Sequence, residues 1–458
     1  MKTHTEKRQV IRPGAWRGVA VSAVALAIAA GSITACDTNR LLDVTTPNAV
    51  PVALLDDPKN ATLMVASAVG DFQCALGSAI AVEGLIAGEL SDTQLGAAQW
   101  DYARRTANTL TNGIYGTAGC GGQFGSQLFG SQVFGIYLPL STARYDADHA
   151  INNLKKWTDA EVGANRATLL AVSQLYAGLS YAWLGMSMCE AAFDNGPAVK
   201  QQGMFALAES RLTDAINGAP AGADSIKNAA YVIRARVRLY QGGTKLPLAL
   251  ADAQAVPKGF AMNTSNDNSG IRLYNRIFAI TSQFGFYSVP TWSQNLKTEA
   301  NQVDPRSAVT LTGSKSQDNK NTPIYVPNKY SAGDGAPIPI ARYAEAQLIA
   351  AEILGGQQAV DIINAMRDDA GLAHYTGPID AASIKNLVIS ERQRVLFVEG
   401  HRNYDIERFG IPFNPAVGTN FPTGGGQYGN TTCLPLPDIE KNNNPSLGPS
   451  FVPSVTGQ

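Results

Sequence analysis

The stretch from Arg342 to Gly410 constrains the fold more than any other part of this 458-residue chain. It opens with RYAEAQLIAAEILGG, continues through AVDIINAMRDDAGL and closes on SERQRVLFVEGHRNYDIERFG. Tyr343, Ala346, Ala350 and Ile353 recur at the 3.6-residue period of an amphipathic helix, and Ala359, Ile362 and Met366 do the same. Gly355-Gly356 separates the two helices and Gly371 ends the second, because glycine closes a helix without steric cost. A third helix is expected from about Ile384, with Leu387, Val388, Val395 and Val398 turned inward. Glu391 falls inside that apolar stripe. A carboxylate there requires a buried partner, most simply an arginine.

The middle of the chain repeats the same theme. Residues 167–193 place Leu175, Leu179, Ala182 and Met186 at helical spacing, and residues 229–253 run helix, Gly-Gly break, alanine-rich helix. Further helices are expected over MFALAESRLTDAIN and over Ile136 to Trp157. Small residues permit close helix packing and glycines turn the chain, as in degenerate tetratricopeptide pairs. Residues 256–339 differ: they are rich in Asn, Ser, Gly, Pro and aromatics, and GFYSVPTW and PIYVP read as loops or short strands. Residues 413–458 are again Gly-, Asn- and Pro-rich and exclude long elements. The expected fold class is mainly α.

Thirteen positions carry a resemblance to a known family: Arg342, Tyr343, Glu345, Glu352, Asn364, Arg367, Glu391, Arg392, Glu399, Gly400, Arg402, Asp405 and Arg408. Their order and spacing resemble the C-terminal signature of the SusD/RagB family, surface glycan-binding lipoproteins that partner TonB-dependent transporters. ARYDADHAINNL and the closing CLPLPDIEKNNNPSL resemble other parts of it. The resemblance implies an α/α superhelix built on tetratricopeptide-like helix pairs, with a loop-rich insertion and an irregular C-terminal segment. Residue by residue, such Arg, Glu and Asp positions are expected to cap helices and pair across a helical core, not to touch ligand.

The N-terminus agrees independently. Lys7, Arg8, Arg12 and Arg17 precede an apolar run, Val19 to Ile33, that is short for a membrane span. It ends in Ile-Thr-Ala-Cys at Cys36, which resembles the lipobox cut before a cysteine that becomes diacylated; acyl chains anchor a protein without a transmembrane helix. The expected organisation is a signal peptide at 1–35, a helical part at 36–255, the insertion at 256–339 and the signature region at 340–458. Residues 1–35 carry five basic residues and one acidic one, so cleavage leaves 31 Lys+Arg against 36 Asp+Glu, a net of −5. No basic block survives to hold nucleic acid. No later apolar stretch is expected to cross a membrane. Cys74, Cys120, Cys189 and Cys433 remain besides Cys36, and an even number outside the cytoplasm implies bridging; the Gly-rich loop puts Cys120 first, and the pairing stays open. His149, His374 and His401 are far apart, and no metal or cofactor is expected.

Catalytic signatures are missing from the sequence: no Gly-x-Ser-x-Gly elbow, phosphate loop or paired metal histidines. Glycoside hydrolysis needs two carboxylates across the bond. Glu391 and Glu399, read as one helix, stand ~12 Å apart along its axis in a structural stripe. The chain is read as a binder, not an enzyme. Sugars lay apolar faces on aromatic rings while their hydroxyls pair with polar side chains. The resemblance directs attention to the loop after the first helices, with Asp92, Trp100, Asp101, Tyr102 and Arg104, and to the insertion, with Phe286, Tyr287 and Trp292. It implies an oligosaccharide ligand, a TonB-dependent outer-membrane transporter as partner and lipid anchoring through Cys36 at the cell surface. The alternative is a helical-repeat scaffold or lid for that transporter, with a peptide or other ligand. FGSQLFGSQVFG, from Phe124 to Gly135, is expected to be a loop pinned by its phenylalanines.

Overall fold

The computed structural model describes residues 52–93, 101–109, 135–269, 273–318, 321–422 and 425–447. It is mainly α. Helix α1 (Ala61–Ala87) is followed by strand β1 (Ser91–Asp92), then α2 (Tyr137–Lys156), α3 (Arg166–Ser187), strands β2 (Glu190–Ala192) and β3 (Ala198–Lys200), α4 (Gln201–Gly218), α5 (Asp224–Gln241) and α6 (Leu246–Ala255). The insertion contributes β4 (Ala261–Asn263), β5 (Tyr287–Ser288), β6 (Val309–Lys315) and β7 (Pro323–Pro327). Strand β8 (Pro339–Arg342) leads into α7 (Tyr343–Leu354), α8 (Gly356–Asp368), α9 (Ala381–Val395) and α10 (Arg402–Phe409). Each strand pairs with one other, in antiparallel two-stranded ribbons: β1 with β5, β2 with β3, β4 with β8 and β6 with β7.

The helices stack largely in chain order, α1 on α2, α2 on α3, α3 on α4, α4 on α5, α5 on α6 and α6 on α7, with α8 and α9 against α7. The expected helix pairs are therefore present, and small residues set their spacing. A Cβ on Gly178 would stand 2.6 Å from the Leu212 side chain, and one on Gly185 2.6 Å from the Phe205 ring, so α3 and α4 approach only because both positions are bare. Leu175, Leu179, Ala182 and Met186 are all buried, as their spacing predicts.

Helix α1 is the centre of the core. Nineteen of its residues from Ala61 to Ala87 are buried, against α2, α3 and α10. This corrects the expectation that no apolar stretch after the leader is long enough to span a membrane. Pro58–Ala87 meets that length and composition, but 67% of its apolar window is buried in protein. A helix apolar on every side belongs in the interior of a large core.

The same helix carries Glu83, fully buried, whose Oε2 accepts from Asn403 Nδ2 at 2.7 Å. Burial pushes its carboxyl up to about 8, and the nearby Glu407 adds to the shift. A raised carboxyl stabilises the fold fully below its unfolded value of 4.5, and that contribution is lost as pH rises through 8. Stability is therefore expected to fall by about 2 kcal/mol from this group between pH 5 and pH 7. Urea titrations of wild type and Glu83→Gln check this: the variant should flatten the decline, and an unchanged slope refutes the assignment.

Ten of the thirteen signature residues pair or bond across the helical core, as their pattern leads one to expect. Arg236 Nε and Nη2 clamp Glu345 at 2.5 and 2.7 Å, joining α5 to α7. Arg342 pairs with Glu399 at 2.7 Å, Arg408 with Glu352 at 2.5 Å, and Arg392 Nε with Asp405 at 2.8 Å. Asn364 accepts from the Tyr375 amide at 2.8 Å. Glu391 is fully buried and receives Arg367 at 2.6 Å, Arg394 at 2.7 Å and Arg306 at 2.8 Å. One point differs. Helix α9 ends at Val395, so Glu399 and Val398 lie beyond it, and the single-helix separation of Glu391 and Glu399 does not apply. Val398 is buried as expected, but in a turn with φ of 51°.

Cys189 and Cys433 form a disulfide with Cα atoms 5.0 Å apart, and Cys74 is also a disulfide cysteine. Cys120 and the Phe124–Phe134 motif lie outside the described residues. The closing segment packs back on the scaffold: Leu434 and Leu436 are buried, and the Leu434 amide donates to Ser187 O at 2.8 Å.

Candidate functional site

Helix α1 ends at Gly88, whose φ of 74° is the left-handed conformation that glycine adopts without strain. The turn sends the chain into β1, and β1 pairs with β5 of the insertion. Ser91 faces Ser288 and Asp92 faces Tyr287. The pairing extends by one residue, since the Thr93 amide donates to Phe286 O and its hydroxyl to Gly285 O, both at 2.8 Å. Beyond β5, Trp292 Nε1 donates to Gly88 O at 3.0 Å and Ser293 Oγ to the same oxygen at 2.8 Å. Two loops singled out separately in the sequence, with Gly88 and Trp292 204 residues apart, thus become one structural unit around the end of α1.

The individual residues fare differently. Trp292 is half-buried, its indole N–H held by Gly88 and part of its ring facing solvent. Asp101 and Arg104 are partly buried, their side chains 23% and 16% exposed, and are paired at 2.7 Å. Tyr102 and Tyr287 are 0% exposed, and Phe286 is buried and stacked on Phe284 with centroids 5.3 Å apart. Burial raises both tyrosine hydroxyls well above the usual phenol range. These three rings pack, and offer no face to a ligand. Asp92 is buried beside Tyr287. Trp100 lies outside the described residues, as does Cys36.

A third segment, residues 411–422 and 425–431, completes the unit, and nothing in the sequence singles it out. A Cβ on Gly88 would stand 2.6 Å from Asn414 O, so this segment closes directly over the turn. Arg105 organises it. Its guanidinium lies 4.4 Å from the Phe413 centroid and 4.6 Å from that of Tyr428, and it donates to Pro415 O at 2.7 Å and Gly429 O at 3.0 Å. Burial lowers its pKa to about 10, leaving it charged at neutral pH. The Gly429 amide donates to Arg104 O at 2.6 Å, and the Arg104 guanidinium to Gly425 O. Phe413 is half-exposed and Asn414 exposed. The only sequence signal was aromatics among Pro and Gly in a polar stretch, a pattern shared with ordinary loops.

Contacts thus link Trp292 through Gly88 to Asn414 and Phe413, and onward through Arg105 to Arg104 and Asp101. Half-exposed rings alternate with an amide and an ion pair whose geometry is fixed by backbone. Such a face can stack an apolar surface and hydrogen-bond the polar groups around it. A cavity of about 330 Å³ elsewhere, lined by Arg306, Arg342, Tyr343, Met366 and Asp369, has its arginines already committed to buried carboxylates. Among the described residues, no three His, Cys, Asp or Glu are grouped to hold a metal ion.

Known proteins share this architecture. A SusD-like carbohydrate binding protein from Bacteroides vulgatus matches with a TM-score of 0.62 at 14% identity, over 86% of this chain and 98% of that one. Surface glycan-binding protein A from Bacteroides thetaiotaomicron, in complex with laminarihexaose, matches with a TM-score of 0.61 at 15% identity, over 85% of this chain and 98% of its own. A further SusD superfamily protein from Bacteroides vulgatus matches with a TM-score of 0.60 at 15% identity, over 85% and 98%. No curated protein matches the chain. Residues 229–447, which include all thirteen signature positions, match the model of the SusD family. With that match, residues 229–447 belong to the SusD family, and the fold is shared with SusD superfamily proteins along most of the chain.

Proposed function

We propose that this chain is a surface lipoprotein that captures an oligosaccharide on the Trp292 face and passes it to a TonB-dependent outer-membrane transporter. The observation that carries this reading is the run of contacts from Trp292 through Gly88 to Asn414 and Phe413, and through Arg105 to the Asp101–Arg104 pair. A glycan presents flat apolar C–H faces ringed by hydroxyls, and this face offers rings beside fixed polar groups. Structural relatives described as a laminarin binding SusD-like protein and as a complex with xylogluco-oligosaccharide support the ligand class. Diacylation at Cys36 supplies the membrane attachment, and the stacked helix pairs offer an extended surface for the transporter. A receptor that must release its cargo needs only a shallow platform, so affinity is expected at about micromolar or weaker, near −8 kcal/mol. Ligand is bound and released without turnover.

Calorimetry against a panel of oligosaccharides and peptides tests this. Trp292→Ala is expected to weaken glycan binding by about tenfold, ~1.4 kcal/mol, through loss of ring stacking. Binding that persists unchanged places the ligand elsewhere, binding of peptides alone replaces the ligand class, and cleavage of the ligand overturns the non-enzymatic reading.

A further inference from the structure

The Gly88 turn that anchors Trp292 rests on a buried acid. Glu89 is 2% exposed, and its Oε1 accepts from the Val398 amide at 3.2 Å. Val398 has φ of 51°, strained for a β-branched residue, so the contact helps hold an unfavourable turn. Tyr330 donates its hydroxyl to Val398 O at 3.0 Å from the other side. Among the described residues, Glu89 Oε2 has no donor. An ionised carboxylate left in this state carries an unsatisfied, desolvated oxygen, whereas a proton converts that oxygen into a hydroxyl.

The titratable groups coupled to Glu89 are Arg402, Lys329, Glu399 and the Tyr330 hydroxyl. Arg402 from the start of α10 and Lys329 from the turn after β7 favour its charge, and Glu399 opposes it. Lys329 and Arg342 are both paired to Glu399, at 2.6 and 2.7 Å, so their positive charge is largely spent there. Glu83 lies six residues back on α1, itself buried. Burial dominates, and the Glu89 carboxyl is pushed up to about 7.

The covalent neighbour of this acid is Gly88, whose carbonyl holds both Trp292 and Ser293 and whose Cα abuts Asn414. We propose that Glu89 is a positioning residue for the Trp292 face, coupling the protonation of the α1 terminus to the placement of the ring. With the acid neutral, the Gly88 turn, the Val398 turn and Trp292 are held in the arrangement described. Ionisation draws Oε2 toward water or Arg402 and loosens the turn. The sign follows from the raised carboxyl: the arrangement is favoured below neutrality and lost as pH rises through about 7.

This inference rests on the function proposed for the face, but its test needs no ligand. Fluorine NMR of protein labelled with 5-fluorotryptophan, from about pH 5 to about pH 9, reads the Trp292 signal, assigned by its disappearance in Trp292→Phe. In wild type the signal is expected to shift with one midpoint near pH 7. In Glu89→Gln, which keeps the shape of the neutral acid, the midpoint is expected to vanish with the signal at its low-pH position. His149→Asn and His374→Asn, which remove the two more accessible histidines, are expected to keep the midpoint. If Glu89→Gln folds poorly, Glu89→Asp retains a carboxyl at a shifted position and should move the midpoint. A Trp292 signal that does not titrate, or a midpoint unmoved by the substitution at Glu89, overturns the inference. Failure to bind any glycan while the midpoint depends on Glu89 would instead overturn only the proposed ligand.

Discussion

Glu391→Ala is expected to destabilise the protein by about 3–5 kcal/mol, the usual cost of breaking a buried ion network by removing one member. The carboxylate is fully buried and receives three guanidinium groups, from Arg367 on α8, Arg394 on α9 and Arg306 in the insertion. Asp304 adds a second buried acid, 2.5 Å from Arg306 and 3.1 Å from Arg394, and Glu299 closes the network at 2.6 Å from Arg367. Three positive and three negative charges balance. Removing Glu391 leaves a net positive cluster whose donors have lost their central acceptor, with little access for water. The loss should also be shared by the insertion, because Arg306 and Asp304 belong to it. Urea unfolding of wild type, Glu391→Ala, Arg367→Ala and the double variant measures this. A coupling energy of at least about 1 kcal/mol between the two sites is expected. A change in stability below that value for Glu391→Ala would show that the network relaxes at no cost.

Replacing both Cys189 and Cys433 with serine is expected to cost about 5 kcal/mol in the chain-entropy treatment of disulfides. The bridge closes a loop of 244 residues, and a cross-link restricts the unfolded chain more as the loop lengthens. It also fixes the closing segment beside the end of α3, where the Cys189 amide donates to Leu434 O at 2.9 Å and Asn403 Nδ2 to Thr432 O at 2.5 Å. The serine pair is the proper test, since a reductant would also act on the bond at Cys74. Denaturant midpoints in the two proteins measure the effect, and a difference under about 1 kcal/mol would mean that the unfolded chain is already held compact by other means.

Local periodicity made most of the helices legible. The helices at 137–156, 166–187, 201–218, 224–241 and 343–368 follow apolar stripes or glycine breaks that any solvent-facing helix needs. Helix α1 was not legible in that way. Its residues are apolar on every side, so no stripe marks it, and only the packing of α2, α3 and α10 around it explains why it is a core helix. The candidate face was half legible. Trp292, Asp101 and Arg104 are singled out for their chemistry and stand partly exposed at the Gly88 unit, whereas Tyr102 and Tyr287 are singled out on the same grounds and are buried. An aromatic in a polar loop looks alike in sequence whether it faces solvent or the interior. The Phe413–Asn414 segment was missed because its contact with Gly88 has no local signature.

The sequence by itself determined the family, the mainly helical class and the need for a buried cation beside Glu391. Each of these follows from residue type and spacing within one stretch of chain, where neighbours in sequence are neighbours in space. The tertiary structure alone decided that three arginines from three segments meet that glutamate, that Cys189 bonds Cys433, and that β1 pairs with β5 to place Trp292 over Gly88. Those are contacts between residues far apart in the chain. Their register depends on how the whole core packs, and no local propensity encodes it.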